Sequence, residues 1–174
     1  VRTLGGETWG RAMLKIDKIL PGAGRGFIIG NIATAAYLAG AAWRLLTDAS
    51  THAATRKQFG KTLGEFQAVT HPLADCAIGL TAAQTLARAA ACSFDSASAR
   101  GPHEASCLAA GAFMSARRAS LNTAYVCHQV FAGIGITLDG PAFHISRRIR
   151  QMASTPPVGT REQGLLLAAT GLGA

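Results

Sequence analysis

Apolar residues recur at steps of three and four across residues 63–98, and this spacing constrains the fold more than any other feature of the sequence. The residues that follow the spacing are Phe66, Val69, Leu73, Cys76, Leu80, Ala83, Ala87 and Phe94. Side chains spaced in this way lie along one face of an α-helix. The segment therefore predicts a long helix with one buried face, in which Pro72 requires either a kink or a helix start.

The rest of the chain is also predicted to be helical. We expect four further helices, over about 28–55, 103–131, 141–153 and 160–170. The GPHE sequence at 101–104 separates the second helix from the third, and the glycine-rich FAGIGITLDGP at 131–141 forms the next turn. Alanine dominates the apolar residues and favours close helix packing. We predict an all-α, up-and-down four-helix bundle, in which one of the four helices is split.

The beginning of the chain has a different pattern. Polar and large residues alternate with small and apolar ones across ETWGRAMLKIDKI, which predicts a β-strand over 7–19. Pro21 and three glycines predict a loop over 20–27. The bundle is therefore preceded by a short β-strand remnant, and we place the boundary between 1–26 and 27–174.

The chain is strongly basic, with a formal net charge of +8 at pH 7. Such a charge favours anionic partners but does not identify them. The RRIR sequence at 147–150 and the pair Arg117 and Arg118 are able to contact nucleic acid. No recognition module accompanies them, so a basic nucleic-acid-binding domain is a distant alternative and we predict no nucleic-acid partner.

The cysteines and one apolar run bear on the cellular location. The four cysteines (Cys76, Cys92, Cys107, Cys127) are widely spaced, without Cys-x-x-Cys or matching histidines. This spacing favours reduced thiols in a cytoplasmic protein without a metal site. Residues 26–43 carry no charge and are just long enough to span a bilayer. Because they are rich in glycine and alanine and contain Asn31, we predict a buried bundle helix and no membrane span.

A basic corner, RKQFGKTLGEFQ at 56–67, joins the first two helices. Arg56 carries a planar guanidinium group suited to phosphate, Gln58 and Gln67 offer directed amide hydrogen bonds, and Phe59 adds an aromatic plane. The plain alternative is a solvated turn, because loops are usually polar and exposed. The combination favours a nucleotide-like ligand with a diphosphate and rings.

The same corner resembles a known family. RKQFGKTLGEFQAVTHPLAD is similar to the hallmark of the acyl-CoA dehydrogenases, in their C-terminal helical-bundle domain. The resemblance continues through HQVFAGIGITLDGP, which is similar to the Gln-x-x-Gly-Gly-x-Gly turn of the family, and through RRIR and VGTRE. DKILPGAGRGF resembles the end of the β-domain of the family. The resemblance implies that 1–26 is the end of a β-domain strand with its linker and that 27–174 is the bundle.

The resemblance implies an FAD cofactor that is shared between subunits. Arg56 would contact the diphosphate of FAD, Gln58 and Phe59 would line the cofactor, and Gln67 would hydrogen-bond it. The adenine side would be formed by Gln129 and Gly133, and Thr160 and Glu162 would complete that edge. The implied activity is α,β-desaturation of an acyl-CoA thioester by an oligomer, a dimer or tetramer of like or unlike subunits. Electrons would pass from FAD to an acceptor protein.

The sequence departs from the family at the catalytic base. The family glutamate stands immediately before a Gly-Thr pair, where this chain has Val158, or Pro156 if two prolines are inserted. A second base position, on the first bundle helix, falls on Gly30, beside Asn31. Neither position holds a carboxylate, and Glu162 is several residues away. Two interpretations remain: part of a catalytic acyl-CoA dehydrogenase, or a non-enzymatic bundle subunit that supports a flavin site in a mixed assembly.

Overall fold

The computed structural model describes residues 23–96, 102–154 and 160–170. Five α-helices follow in order: α1 (Ala23–Thr55), α2 (Gln67–Asp95), α3 (Pro102–Phe131), α4 (Pro141–Ala153) and α5 (Thr160–Thr170). Two-residue strands, β1 (Lys57–Gln58) and β2 (Lys61–Thr62), lie between α1 and α2. Short 3₁₀ turns cover Leu63–Glu65 and Ala132–Ile136. The prediction of an all-α helical bundle is confirmed.

The core lies between α1, α2 and α3, and α4 closes one side. Leu38, Leu45, Leu80 and Ile149 are fully buried at its centre. Most of the remaining core positions are alanines, among them Ala39, Ala42, Ala83 and Ala112. Because alanine has the smallest apolar side chain, the helix backbones approach closely, and dispersion contacts between backbones replace those of large side chains.

The first helix begins earlier than the glycine pattern predicts. The predicted loop over 20–27 is wrong from Ala23 onward, because α1 already includes the glycines at 24 and 26. The first turn is held by tertiary contacts, since the Arg25 guanidinium lies 4.8 Å from the ring centre of Phe94 on α2. Such a cation–π contact offsets part of the helix-forming cost of the glycines. The strand predicted over 7–19 lies outside the described residues.

α1 also bears on the membrane prediction. The segment Gly24–Thr55 is long and apolar enough to cross a membrane by length and composition. Its buried residues, including Leu38 and Leu45, pack in the bundle core, but only 28% of its most apolar stretch is buried, so the predicted buried helix is largely exposed there. The absence of a membrane span stays a prediction.

The second helix begins later than predicted. Leu63–Glu65 forms a 3₁₀ turn, Phe66 is extended, and α2 starts at Gln67 rather than at residue 63. Pro72 lies inside α2, so the alternative that the helix begins there is wrong. Proline removes one hydrogen bond to the carbonyl four residues earlier, and this position is close to an end where such bonds are already incomplete.

Candidate functional site

The basic corner folds as a small β-hairpin. β1 and β2 pair antiparallel, with Lys57 opposite Thr62 and Gln58 opposite Lys61. Phe59 and Gly60 form the two-residue turn with φ of 52° and 82°. Two consecutive positive φ values are typical of a type I′ turn, whose twist matches that of the paired strands. Sequence analysis missed this hairpin, although a short run of residues separates the Phe59-Gly60 pair from the helix on each side.

Hydrogen bonds fix the hairpin to α1 and to the 3₁₀ turn that precedes α2. The Arg56 amide donates to the carbonyl of His52 on α1 (2.9 Å), and the Leu63 amide donates to the carbonyl of Arg56 (2.9 Å). The Thr62 amide and hydroxyl both donate to Glu65 Oε1, at 2.8 and 2.9 Å. These bonds to the charged form hold the pKa of the Glu65 carboxyl below its usual value. The corner is therefore a fixed platform on the bundle.

The platform presents the predicted ligand-contacting residues to solvent. Arg56, Gln58 and Gln67 are exposed, and Phe59 is 93% exposed. Lys61 lies with its Nζ atom 4.3 Å from the ring centre of Phe66, so this cation already contacts an aromatic ring. Within 23–96, 102–154 and 160–170, the guanidinium of Arg56 makes no ion pair. Its hydrogen-bond donors therefore remain available to a phosphate.

A groove joins the start of α2 to the end of α3. It has a volume of about 340 Å³ and is lined by Ala68, Val69, Pro72, Tyr125, Val126, Gln129 and Val130. Gln67 immediately precedes the α2 wall of the groove, and Gln129 lies on its α3 wall. The fold thus brings Gln67 and Gln129, which are 62 residues apart in the sequence, to the same end of the bundle. Tyr125, which is 61% exposed, borders the same groove and was not predicted.

Two glycines in the turn after α3 have different surroundings. A Cβ on Gly133 would meet nothing within 4 Å, so the surface beside it is open to a ligand. A Cβ on Gly135 would lie 3.0 Å from the Cβ of Phe131 and 3.2 Å from the carbonyl oxygen of His128, so a side chain there would require these neighbours to shift slightly. Gly133 is therefore exposed where the adenine side was predicted, and Gly135 is buried and tightly packed.

Ala132 occupies a backbone conformation that favours glycine. Its φ is 51°, in the left-handed region, at the place where the family turn has its first glycine. We expect Ala132→Gly to raise the free energy of unfolding by about 1 kcal/mol, because glycine adopts this conformation without Cβ strain. Urea denaturation measures the effect. Ala74→Gly, on the exposed face of α2, is the matched control and should lower the stability by a similar amount. Equal destabilisation by both variants would show that the backbone of Ala132 is not strained.

A second cavity adjoins the turn between α3 and α4. It has a volume of about 420 Å³ and is lined by Tyr125, His128, Gln129, Ala132, Ile136 and Arg150. Nε2 of His128 lies 2.7 Å from the Ser146 hydroxyl on α4. Burial, and next the nearby Arg150 cation, lower the pKa of His128 from 6.5. His128 therefore resists protonation at the joint between the two helices.

This shift predicts a pH-dependent stability. The unfolded chain binds a proton at His128 near the usual pKa of 6.5, whereas the folded chain binds it only at lower pH. We expect the free energy of unfolding contributed by His128 to be complete above pH 6.5 and to fall as the pH decreases through the folded pKa. Denaturant titrations between pH 7.5 and pH 5 test this. His128→Gln should flatten the dependence, and an unchanged slope in that variant would assign it to other groups.

The two buried cysteines show no sign of a reactive site. All four are free, and Cys76 and Cys127 are buried. Burial, followed by the neighbouring Cys76 thiol, raises the pKa of Cys127 to about 12, and burial also raises the pKa of Cys76. A thiol with a raised pKa is a poor nucleophile. Among the described residues, no group of three or more His, Cys, Asp and Glu side chains could hold a metal ion.

Glu162 does not join the exposed residues of the corner. It is only 6% exposed, and its Oε1 accepts a hydrogen bond of 3.1 Å from Nδ2 of Asn31 on α1. Its Oε2 has no hydrogen-bond partner, and Glu162 is the one charged residue among the buried residues of the described chain. This contact joins α5 to α1 across 131 positions. Sequence analysis missed it because no local pattern reports so distant a pairing.

The two predicted base positions differ in the structure. Gly30 lies next to Asn31 on the exposed face of α1, and a Cβ there would meet nothing within 4 Å. Val158 and Pro156 lie outside the described residues, as does the side chain of Thr160, at which α5 begins. Arg161 lies over the ring of Phe27, 3.9 Å from its centre, and so fixes α5 against α1. No carboxylate stands at residue 30.

The fold defines a helical-bundle domain that presents a polar and aromatic corner to solvent. The chain belongs to the acyl-CoA dehydrogenase family, since the family described as "Acyl-CoA dehydrogenase, C-terminal domain" matches residues 23–172. The resemblance seen in the sequence is therefore confirmed.

Individual relatives agree with this assignment. The benzylmalonyl-CoA dehydrogenase of Aromatoleum aromaticum is 35% identical over 123 residues, which are 69% of this chain and 30% of that protein. A variant of the Tcur3481–Tcur3483 steroid ACAD is 29% identical, with a TM-score of 0.77 over 88% of this chain and 42% of that chain. The butyryl-CoA dehydrogenase of Megasphaera elsdenii is 26% identical, with a TM-score of 0.76 over 85% and 37% of the two chains. This chain thus spans less than half the length of these relatives.

Proposed function

We propose that this chain is part of an FAD-dependent acyl-CoA dehydrogenase and supplies flavin contacts at a subunit boundary. The observation that carries the proposal is the paired hairpin on which Arg56, Gln58 and Phe59 are exposed together. Family membership supports FAD as the ligand, because the family consists of FAD-binding flavoproteins. A bundle that needed the corner only as a turn would not require an exposed arginine beside an exposed aromatic ring.

The described residues fit FAD on this edge. Arg56 offers a planar guanidinium, unpaired within the described chain, for the diphosphate, and Gln58 and Gln67 offer amides for directed hydrogen bonds. Gln129 borders the adjoining groove, and the open surface at Gly133 admits close approach of a ring system. When bound, FAD supplies the acceptor for the hydride that leaves the acyl group. The hairpin orients the cofactor and keeps the Arg56 charge at a fixed place.

The fit is poorer on the edge predicted to contain Glu162. Its carboxylate is buried against Asn31, and a second negative charge near a diphosphate would be repulsive. Thr160 remains a predicted contact. We infer that this chain contributes chiefly the Arg56–Gln67 and Gln129–Gly133 contacts to the cofactor.

We propose that the chain lacks the catalytic base of the family. Gly30 has no side chain, and valine or proline at the other position accepts no proton. A general base must lie within hydrogen-bond reach of the proton that it removes. The carboxylate of Glu162 is buried and already accepts a hydrogen bond from Asn31. Abstraction of the α-proton would then require a carboxylate that neither of these two positions supplies.

The substrate of the assembly would be an acyl-CoA thioester. The relatives named above include a benzylmalonyl-CoA and a butyryl-CoA dehydrogenase, whose acyl groups differ in size and polarity. Desaturation of such thioesters would place the assembly in cytoplasmic lipid metabolism, including fatty acid β-oxidation, with an acceptor protein for the electrons. Residues 1–26 would be the end of a β-domain, with the helix starting at Ala23.

The visible absorption spectrum and the subunit composition of the protein from its native host test the proposal. We expect a flavin spectrum, a second chain that carries the glutamate, and bleaching of the flavin when an acyl-CoA is added. A flavin that is not bleached, in an assembly without a glutamate-bearing chain, would support the non-enzymatic subunit instead. A colourless protein would contradict the flavin contacts themselves.

A further inference from the structure

The four free cysteines differ in their surroundings. Cys76 and Cys127 are buried, Cys107 is partly exposed and Cys92 is exposed. The two buried thiols belong to the packed core, where burial raises the pKa of both. The two accessible thiols take no part in the core or in the predicted cofactor contacts. They therefore need a separate explanation.

Cys107 is paired with a histidine. Its Sγ atom lies 3.8 Å from Nδ1 of His103, a distance suited to a hydrogen bond that involves the large sulfur atom. Residues 103 and 107 are four apart on α3, so the helix places their side chains next to each other on the same face. Pro102 begins α3 and suits the first helical position. The regular helix from Pro102 onward thus holds the pair together.

This geometry provides a nucleophile and a base. The thiolate is the reactive form of cysteine, and a neighbouring base that takes the thiol proton generates it. Nδ1 of His103 is placed to take that proton, and because the histidine is exposed, its other ring nitrogen faces water. Cys107 is partly exposed, so a small molecule has access to the sulfur.

Cys92 has the exposure without the base. It lies near the end of α2, and its thiol makes no hydrogen bond with another residue of 23–96, 102–154 or 160–170. If exposure alone decided reactivity, Cys92 would react faster than Cys107. If the neighbouring imidazole decides it, the order is reversed. The chain therefore contains its own internal reference for the reactivity of Cys107.

We propose that Cys107 is a modification site whose thiol, with His103 as its base, exchanges with low-molecular-weight disulfides of the glutathione type. The thiol proton passes to Nδ1 of His103, and Sγ attacks one sulfur of the disulfide. A bond forms between Sγ and that sulfur, the disulfide bond of the reagent breaks, and the leaving thiolate takes the proton from His103. Cys107 is oxidised and the leaving sulfur is reduced, so no further oxidant is required.

The site is separate from the cofactor edge. Cys107 and Gln129 are 22 residues apart on α3, which corresponds to about 33 Å along the helix axis. The modification therefore does not depend on bound FAD, and the proposal stands independently of the proposed function.

Mass spectrometry of the cysteine peptides, after brief treatment of the protein from its native host with oxidised glutathione, measures each rate. We expect the mixed disulfide to form at Cys107 roughly tenfold faster than at Cys92, and at the buried cysteines more slowly than at either. His103→Gln should remove the advantage of Cys107 and leave the rate at Cys92 unchanged. Glutamine is close to histidine in size but takes no proton, so this variant separates loss of the base from altered access.

His71→Gln is the matched control, because His71 is an exposed histidine on α2 that makes no hydrogen bond with a cysteine of the described chain. It should leave both rates unchanged, and circular dichroism checks that both variants are folded. A rate at Cys92 equal to or above that at Cys107 in the unmodified protein would overturn the proposal. So would an undiminished rate at Cys107 in folded His103→Gln, since the imidazole would then have no part in the reaction.

Discussion

Replacement of Arg56 by alanine is expected to weaken FAD binding by about 2 kcal/mol, or roughly thirtyfold in the dissociation constant. The expected loss is that of a charge-assisted hydrogen bond between a guanidinium and a phosphate oxygen. Arg56 suits this role because its backbone is held by bonds to His52 and Leu63 while its side chain is exposed and unpaired within the described chain. The variant should keep its fold, since that side chain packs against no core residue.

The measurement is fluorescence or absorbance titration of the flavin-free assembly with FAD. Lys57→Ala is the matched control, because Lys57 is the adjacent exposed cation on β1 and is not among the predicted contacts. It should weaken binding only by the loss of a screened surface charge, which is well below tenfold. Equal effects of the two variants on the dissociation constant would show that Arg56 acts only through general electrostatic attraction. An unchanged dissociation constant for Arg56→Ala would show that Arg56 does not contact the cofactor.

Replacement of Gly140 by alanine is expected to lower the free energy of unfolding by about 3 kcal/mol. An ideal Cβ at this position would overlap the carbonyl oxygen of Ile134 and lie 3.3 Å from that of Thr137. The reason is space rather than conformation, because Gly140 has φ −79° and ψ 141°, which any residue adopts. Relief would require movement of the 3₁₀ turn Ala132–Ile136 away from the start of α4.

Gly133→Ala is the matched control for this prediction. Its Cβ meets nothing within 4 Å, so the stability should stay within about 0.5 kcal/mol of the unmodified chain. The two variants should therefore separate stability from binding: Gly140→Ala unfolds at lower urea concentration, and Gly133→Ala weakens FAD binding by blocking close approach. A stable Gly140→Ala protein would show that the turn adjusts freely, and full FAD affinity in Gly133→Ala would place the adenine elsewhere.

Much of the helical architecture can be predicted from local sequence, because a buried helix face imposes its spacing on consecutive residues. The apolar series from Phe66 to Phe94 identifies α2, and the helices over 103–131 and 141–153 lie within one residue of their predicted bounds. The predicted helix bounds are wrong at those helix ends where tertiary contacts outweigh the local sequence signals. Arg25 stacks on Phe94, so α1 continues through two glycines that otherwise disfavour a helix.

The candidate site likewise has features that local sequence predicts and features that depend on tertiary contacts. Residues 56–67 are close in sequence, so their polar and aromatic types are enough to indicate a ligand-contacting corner, and family resemblance identifies that ligand as FAD. Whether those side chains are free is not a local property. Lys61 lies over Phe66 while Arg56 stays unpaired among the described residues, and only the arrangement of the hairpin distinguishes the two cations.

The sequence by itself determined the all-α class, most helix bounds and the family, because each depends on residue types at short or fixed spacings. Only the tertiary structure decided that Glu162 is buried against Asn31 and that Gln67 and Gln129 share one end of the bundle. These contacts join residues on different helices, and their geometry follows from how closely the alanine-rich core lets those helices pack.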